Sequence, residues 1–354
     1  MPQLPELEQK FLSRGIYPYG TPELEKFEER IIRFFNREYN RRIAEKIRFE
    51  DTGATADQGP MWLNTDQLMA KQYDQDLRLF KAFLDKKLLA YSAAYYGDDL
   101  ASVQASTLSL EDAQDAKCRL ICERSGICGN EEILNIGCGF GSFESYILPR
   151  YKDISISSIT ISKVQAGFIR DKMGESGHPL NSKRLYLIEA DFGSIDLQEL
   201  GENKYDLITG IASFEAVNNL RSAFRKIASL LRPGGRLFLH LIVSKPVIPQ
   251  FLSAENTITS RYFPGGRNWP SHIIEAQTEF LNLENSWFVN GANYWRTLDE
   301  WQHRYWLQMP DLFDTVLDED GVRHWNEYFS MFKACFIALD GTQVGLGHYL
   351  FRKP

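Results

Sequence analysis

The sequence has no run long enough to cross a bilayer. Its longest strongly apolar stretch, around Leu237 to Val243, falls far short of the about 20 residues a membrane helix needs. The first residues, MPQLPELEQK, lack the basic-then-apolar layout of a signal peptide. Cysteine is scarce and odd in number, five in all, with no CxxC pair; Cys118 and Cys122 stand one helical turn apart. A reduced, cytoplasmic protein with free thiols follows. The six histidines are scattered without an HExxH pattern, which argues against a metal site. Positive charge is also in deficit. Forty Lys+Arg against 47 Asp+Glu leave a net −7, unsuited to a broad phosphate-binding surface or a nucleic-acid partner. No internal repeat or low-complexity tract is present.

What is there is ordinary globular material: 354 residues, 44% hydrophobic and 25% charged, enough for one large domain or two modest ones. Aromatics reach 13% and are unevenly spread. Six of the seven tryptophans (Trp269, Trp287, Trp295, Trp301, Trp306 and Trp325) fall in roughly the last quarter of the chain.

Periodicity divides the chain in two. Phe27, Ile31, Phe35, Tyr39, Ile43 and Ile47 recur every four residues, predicting a helix from about Pro22 to Phe49 with a solvated, charge-mixed face. A loop of turn formers, Asp51 to Pro60, precedes a second helical stretch from about Asn64 to Asp85. No period-2 strand is evident before residue 130, so residues 1–110 read as a helical segment with no core of its own. A helix from Leu110 to about Cys128 then stops at Gly129-Asn130. Beyond it, strand-like runs (Ile133–Ile136, Ile154–Thr160, Tyr186–Glu189, Tyr205–Thr209 and Arg236–Val243) alternate with helical stretches near Ser142–Leu148, Ser162–Met173 and Leu220–Leu231. This alternation predicts a Rossmann-like, doubly wound α/β sheet. Phe332–Leu339 and Val344–Arg352, flanking Asp340-Gly341, read as an antiparallel C-terminal hairpin that makes the sheet mixed.

The strongest local signal is Leu134-Asn135-Ile136-Gly137-Cys138-Gly139-Phe140-Gly141-Ser142: a strand, three alternating glycines, then a helix. Glycine admits positive φ and lets backbone N–H groups approach a ligand. The spacing is GxGxG rather than the dinucleotide GxGxxG, and a ligand-free turn remains an alternative for the motif alone. The second strand ends Ile159-Thr160-Ile161-Ser162, then Gln165, with no carboxylate for a ribose. Glu189-Ala190-Asp191-Phe192 closes the third strand with an acid beside an aromatic, suited to an adenine.

Together, NIGCGFGSF, ITISKVQ, EADF, SFEAV and LRPGGRLFLH resemble the class I S-adenosylmethionine-dependent methyltransferases, in the branch of cyclopropane-fatty-acid synthases and coclaurine-type N-methyltransferases. Tyr91-Ser92, Phe263-Pro264-Gly265-Gly266 and Trp287…Asn290-Gly291…Tyr294…Arg296-Thr297…Trp301 add to the resemblance, which runs from about residue 85 to the C-terminus. It implies S-adenosyl-L-methionine as cofactor, with Gly137, Gly139 and Gly141 at its methionyl and ribose part. It further implies Tyr91 and Ser92 at its amino-acid end, Thr160 and Gln165 at the ribose, and Asp191 and Phe192 at the adenine. Ser162 and Asp206 are expected to be structural. The implied architecture is a helical cap over residues 1–110 and a methyltransferase domain over 111–354. An aromatic-rich lid inserted after the fifth strand is expected at about 246–330.

For catalysis the resemblance implies Glu215, at the carboxyl edge of the fourth strand where doubly wound folds bind ligands, with His240 and Tyr294. Two departures stand out: Ala216 where the family often has histidine, and Ala93 where cyclopropane synthases carry a cysteine of a bicarbonate-holding set. The expected activity is therefore methyl transfer to a small-molecule amine. The alternative is C-methylation or cyclopropanation of an unsaturated lipid or isoprenoid, and a binding protein without catalysis is a third reading. A carboxylate tuned by burial, or a histidine, suits deprotonation of an amine, although a buried structural histidine and an exposed loop acid are the plain alternatives. Aromatic faces attract cations, and Tyr294 and Trp295 are the expected pocket-facing rings of the lid; packing accounts for most of the others. No basic amphipathic helix suggests stable membrane association, and oligomeric state is not readable.

Overall fold

A computed structural model describes residues 3–52, 55–63, 65–245 and 261–354. Asn64, the expected start of the second helix, and residues 246–260, the first part of the expected lid, lie outside the described residues.

The amino-terminal region is helical: α1 (Leu4–Ser13), α2 (Pro22–Ala44), α3 (Thr65–Leu68), α4 (Leu77–Phe83) and α5 (Leu100–Ala105). In α2 the Thr21 hydroxyl accepts the Leu24 N–H and Pro22 occupies the first turn, where a missing N–H costs nothing. Its buried stripe, Leu24, Ile31, Phe35 and Tyr39, matches the periodicity, but the helix ends at Ala44 rather than near Phe49. The stretch expected to be one helix to Asp85 is broken. α3 runs into a single π-helical turn over Met69–Tyr73, and α4 begins anew behind Asp76, whose carboxylate accepts the Arg78 N–H.

α6 (Leu110–Ser125) leads into the sheet. It stops at Gly126, left-handed at φ 69°, earlier than the Gly129-Asn130 signal suggested, because Gly126 already supplies the C-terminal cap. There follow β1 (Glu132–Ile136), α7 (Ser142–Ile147), β2 (Ser155–Thr160), α8 (Lys163–Gly174), β3 (Leu185–Glu189), α9 (Leu197–Leu200), β4 (Tyr205–Ile211), α10 (Leu220–Leu230) and β5 (Leu231–Ser244). The chain continues with β6 (Trp269–Pro270), α11 (Ser271–Glu275), β7 (Asn282–Val289), α12 (Ala292–Leu307), α13 (Met309–Leu312), α14 (Glu319–Ile337) and β8 (Val344–Arg352).

The strand order is 3-2-1-4-5-8-7, with β6 beside β5. Only β8 runs antiparallel to its neighbours, β5 and β7. The mixed doubly wound sheet is as expected; the C-terminal hairpin is not. Phe332–Ile337 forms the end of α14, and β8 pairs with β7 instead. The apolar run misled because Lys333 to Phe336 are buried on successive faces of the helix, which erases the amphipathic period that separates helix from strand. The Asp340-Gly341 turn is real: Leu339, Asp340 and Gly341 all have positive φ, and they turn the chain from α14 into β8.

Alternate side chains of each strand enter two apolar clusters, one on each sheet face: Ile133 lies in one, Leu134 and Ile136 in the other. The amino-terminal helices have no separate core. Leu7, Phe11, Phe35 and Phe83 share a cluster with Trp301, Trp306, Trp325 and Phe329 of the segment after β5. A buried Lys333 in α14 holds Glu28 of α2 at 2.8 Å and Asp299 of α12 at 2.9 Å, tying the two regions together. Among the described residues, no helix is long and apolar enough to cross a membrane.

Candidate active site

The sheet order reverses between β1 and β4, and two adjoining cavities open at the carboxyl ends of these strands, where doubly wound sheets bind ligands. The first encloses about 1060 Å³ of non-atom space, open solvent included; the second encloses about 820 Å³. Tyr73, Tyr91 and Ala212 line both and form the boundary between them.

The glycine loop is the floor of the first cavity. Gly137 (φ 76°) is held by its N–H to the Ile159 carbonyl at 2.9 Å, and a Cβ there would stand 2.5 Å from that of Ser213. Gly139 (φ 58°) faces open space, so a ligand can approach its backbone. Gly141 departs from the expectation: it is not on the cavity wall. It starts α7 at φ 75°, and a Cβ would press on Leu180 at 3.1 Å, so this glycine serves helix packing. Beneath the loop, Thr209 donates to Asn135, and Asn135 and Ser158 both donate to the buried Glu144, a polar thread across three strands.

The other expected cofactor residues, Tyr91, Ser92, Thr160, Gln165, Asp191 and Phe192, all line this cavity. The Thr160 hydroxyl donates to Gln165 Oε1 at 2.8 Å. Asp191 accepts the Gly193 N–H with one oxygen, at 2.7 Å. Ser162 and Asp206 have structural roles, as expected: Ser162 caps α8, and Asp206 accepts the Glu132 N–H and pairs with Arg232. The sequence reading missed one wall. Trp62, Thr65, Leu68, Met69 and Tyr73, from the amino-terminal region, close over the cavity. Trp62 approaches Gly193 so closely that a Cβ there would meet its Nε1 at 2.5 Å, and with Phe192 it lines a slot suited to a planar ring. Asn218 and Asn219 fix this wall by hydrogen bonds to the backbone of Gln58–Met61. No sequence signal exposed it, because Trp62 lies in a stretch rich in turn formers. Ala212 is equally silent: a non-glycine residue at φ 54°, strained where the two cavities meet.

The second cavity is aromatic, with Tyr73, Tyr91, Tyr294, Tyr328, Phe263 and Phe336 on its wall and Glu215 among them. Glu215 is 6% exposed. Its Oε1 accepts the Ile242 N–H at 2.8 Å, and its Oε2 has no hydrogen-bond partner among the described residues. Burial raises its pKa to about 7, opposed by that backbone N–H. Tyr294 lies against Phe336 with ring centroids 4.4 Å apart, and its hydroxyl has no partner among the described residues. Trp295 does not line either cavity. It follows Tyr294 on α12, and one helical step rotates it by about 100°, away from the ring that faces inward.

His240 is a second correction. It is 1% exposed and absent from both cavity walls, and it sits opposite His348 across the β5–β8 pair. Arg124 Nη1 lies 2.9 Å from His348 Nδ1, and an arginine can only donate, so Nδ1 accepts. His348 Nε2–H then donates to His240 Nδ1 at 2.7 Å, leaving the His240 proton on Nε2. Both lone pairs are used in this tautomer chain. Burial, with the Lys117 and Arg124 charges nearby, lowers the His240 pKa to about 3. His240 is therefore a neutral structural residue with no lone pair for a base.

Among the described residues, no group of three or more His, Cys, Asp or Glu side chains could hold a metal ion. The first cavity fits S-adenosylmethionine: open glycine backbone, a carboxylate with one unengaged oxygen beside an aromatic slot, and a buried serine hydroxyl at the other end.

The sheet order, the lone antiparallel β8 and this cavity define the class, the Rossmann-like fold of S-adenosylmethionine-dependent methyltransferases. The chain belongs to the mycolic acid cyclopropane synthetase family, whose model covers residues 64–342. It is 28% identical to the cyclopropane-fatty-acyl-phospholipid synthase of Escherichia coli strain K12, over 76% of this chain but only 64% of that protein. It is 23% identical to the (S)-coclaurine N-methyltransferase of Papaver somniferum, over 78% of this chain and 80% of the other. Its fold is similar to that of a coclaurine N-methyltransferase solved with N-methylheliamine and SAH, with TM-score 0.80, 22% identity and 99% coverage of both chains. A Mycobacterium tuberculosis cyclopropane synthase matches at TM-score 0.67 and 21% identity, over 83% of this chain and all of that one.

Proposed function

We propose that this protein transfers a methyl group from S-adenosylmethionine to an amine nitrogen of a small molecule. The observation that carries the reading is Glu215: buried in an aromatic cavity that adjoins the cofactor cavity, with one oxygen anchored and the other without a partner among the described residues. The bound cofactor supplies an electrophilic methyl group on a positively charged sulfur. The chain's own residues supply position and a proton acceptor. Gly137 and Gly139 would hold the methionyl and ribose part, Tyr91 and Ser92 the amino-acid end, Thr160 and Gln165 the ribose, and Asp191, Phe192 and Trp62 the adenine. Glu215 Oε2 would take the proton from the acceptor ammonium, which frees the nitrogen lone pair. A carboxylic acid near pKa 7 is matched to that transfer at neutral pH. Aromatic walls exclude water and stabilise the cationic acceptor and product, and alignment supplies up to about 7–11 kcal/mol of the barrier reduction.

An amine acceptor also agrees with the relatives that are N-methyltransferases by name. The bicarbonate set of cyclopropane synthases is incomplete: Ala93 is buried in place of the cysteine, and His240 is engaged by His348. We read the amino-terminal helices up to about residue 110 and the described part of the segment after β5, residues 261–330, as one cap over the methyltransferase domain, because they share a core. The cysteines are unpaired among the described residues, which suits a reducing, cytoplasmic setting. The test is incubation with methyl-labelled cofactor and panels of amines, unsaturated phospholipids and prenyl diphosphates, followed by mass spectrometry. Label is expected on an amine and strongly reduced with Glu215→Gln. Label confined to lipid or prenyl acceptors would overturn the reading in favour of carbon methylation.

A further inference from the structure

α6 runs behind the Ala90–Ser92 segment and holds it with two long side chains one turn apart. Gln114 Nε2 donates to the Ser92 carbonyl at 2.9 Å, and Lys117 Nζ donates to Ser92 Oγ at 2.8 Å. Lys117 is 2% exposed. No carboxylate among the described residues lies within 4.0 Å of its ammonium, and Ser92 is its single hydrogen-bond partner there. Asp85 acts on it from a distance, but the two oxygens of Asp85 are occupied by the Leu88 and Ala90 N–H groups. A buried cation without a paired anion is costly, so the site is incomplete as the chain alone builds it.

The direction of the bond shows what completes it. An ammonium only donates, so Ser92 Oγ is the acceptor toward Lys117 and its own proton points elsewhere. That proton has no acceptor among the described residues, and Ser92 lines the cofactor cavity but not the acceptor cavity. An anion in the cofactor cavity is the missing partner. We propose that Lys117 is a positioning residue that orients and polarises the Ser92 hydroxyl toward the α-carboxylate of the cofactor. The buried Lys117–Ser92 pair then recognises the amino-acid end by its negative charge. This inference rests on the cofactor reading above and adds to it a residue on α6 that touches no ligand.

Calorimetry with two ligands separates this role from simple support. S-adenosylhomocysteine carries the carboxylate; its decarboxylated analogue, S-adenosyl-3-thiopropylamine, differs only in lacking it. The wild-type protein is expected to prefer the first by on the order of 10- to 100-fold, the weight of a charge-assisted hydrogen bond. In Lys117→Met, which keeps the length and apolar volume of the stem, the preference should collapse to within about threefold, with the decarboxylated ligand bound as in wild type. Ser92→Ala should give the same loss and serves if Lys117→Met does not fold. The double variant should lose little more than either single one. Equal weakening of both ligands in the two variants, or an unchanged preference, would overturn the relay. A wild-type protein that binds neither ligand would instead overturn the cofactor reading on which it rests.

Discussion

The two cavities meet at Tyr73, Tyr91 and Ala212 but are built in different ways. The cofactor cavity is mostly floored by strand ends: the glycine loop after β1, Thr160 at the end of β2, Asp191-Phe192 after β3 and Ala212-Ser213 after β4. These short segments have their shape set by the strands they leave. The acceptor cavity draws on parts distant in sequence: the π-helical turn at Gln72-Tyr73, Phe263 to Asn268, Tyr294 on α12, and Tyr328 to Phe336 on α14. Only Glu215, Ala212 and Ile242 reach it from the sheet, with Val344 at the start of β8. The first cavity is thus shaped mainly by the sheet edge, the second mainly by segments outside the sheet.

The comparison breaks most visibly at Glu215, which belongs to the acceptor side alone. Glu215→Gln should lower kcat/KM by about 10²- to 10⁴-fold, the usual weight of a proton-transfer residue, with S-adenosylhomocysteine affinity unchanged by calorimetry. Loss of cofactor binding in that variant would merge the two sites into one. The same substitution has an opposite effect on stability. The Glu215 pKa is raised from 4.5 to about 7, so the folded state holds this proton more tightly than the unfolded state. Wild-type stability therefore falls as pH rises from about 4.5 through 7 and stays lowered above that window, by up to about 3 kcal/mol. Thermal unfolding at pH 5 and pH 8 should show Glu215→Gln gaining relative to wild type only at the higher pH. An equal change at both values would mean that Glu215 is not desolvated.

The cofactor side is probed by Gly137→Ala. Its Cβ would press on Ser213 in a left-handed backbone, costing about 1–3 kcal/mol, and calorimetry should show S-adenosylhomocysteine binding weakened. Tyr294→Phe is a smaller perturbation, since only a hydroxyl is removed. A few-fold loss in kcat/KM is expected, about 1 kcal/mol for one hydrogen bond, with cofactor affinity constant. Smallest of all, Trp295→Leu should leave kcat/KM within about twofold, since this partly buried ring lines neither cavity. A larger loss would return Trp295 to the pocket.

This contrast also explains what the sequence could reveal. The β-α order was legible because strand runs and turn chemistry are local, and the same local signals put the expected cofactor residues other than Gly141 on the wall of the first cavity, and Glu215 and Tyr294 on that of the second. Gly141 was misassigned because a glycine needed for positive φ and helix packing looks the same as one needed for ligand approach. His240 was misassigned because its partner, His348, lies across a strand pair that the sequence placed elsewhere once Phe332–Leu339 had been read as a strand. The tryptophan excess resolves in an unexpected way. Trp269, Trp301, Trp306 and Trp325 are buried, Trp287 and Trp295 are partly buried against the core, and none lines either of the two cavities. The seventh, Trp62, does. Such a wall depends on contacts between segments more than a hundred residues apart, to which periodicity is blind.

The central claim is that Glu215 is the proton acceptor for an amine, and the pH dependence of kcat/KM tests it most directly. With an amine found by the labelled-cofactor panel, wild type should show a limb that ascends through about pH 7 as Glu215 ionises, and Glu215→Gln should lose that limb while still binding the cofactor. An identical limb in both proteins would contradict the claim and assign the titration to the acceptor itself.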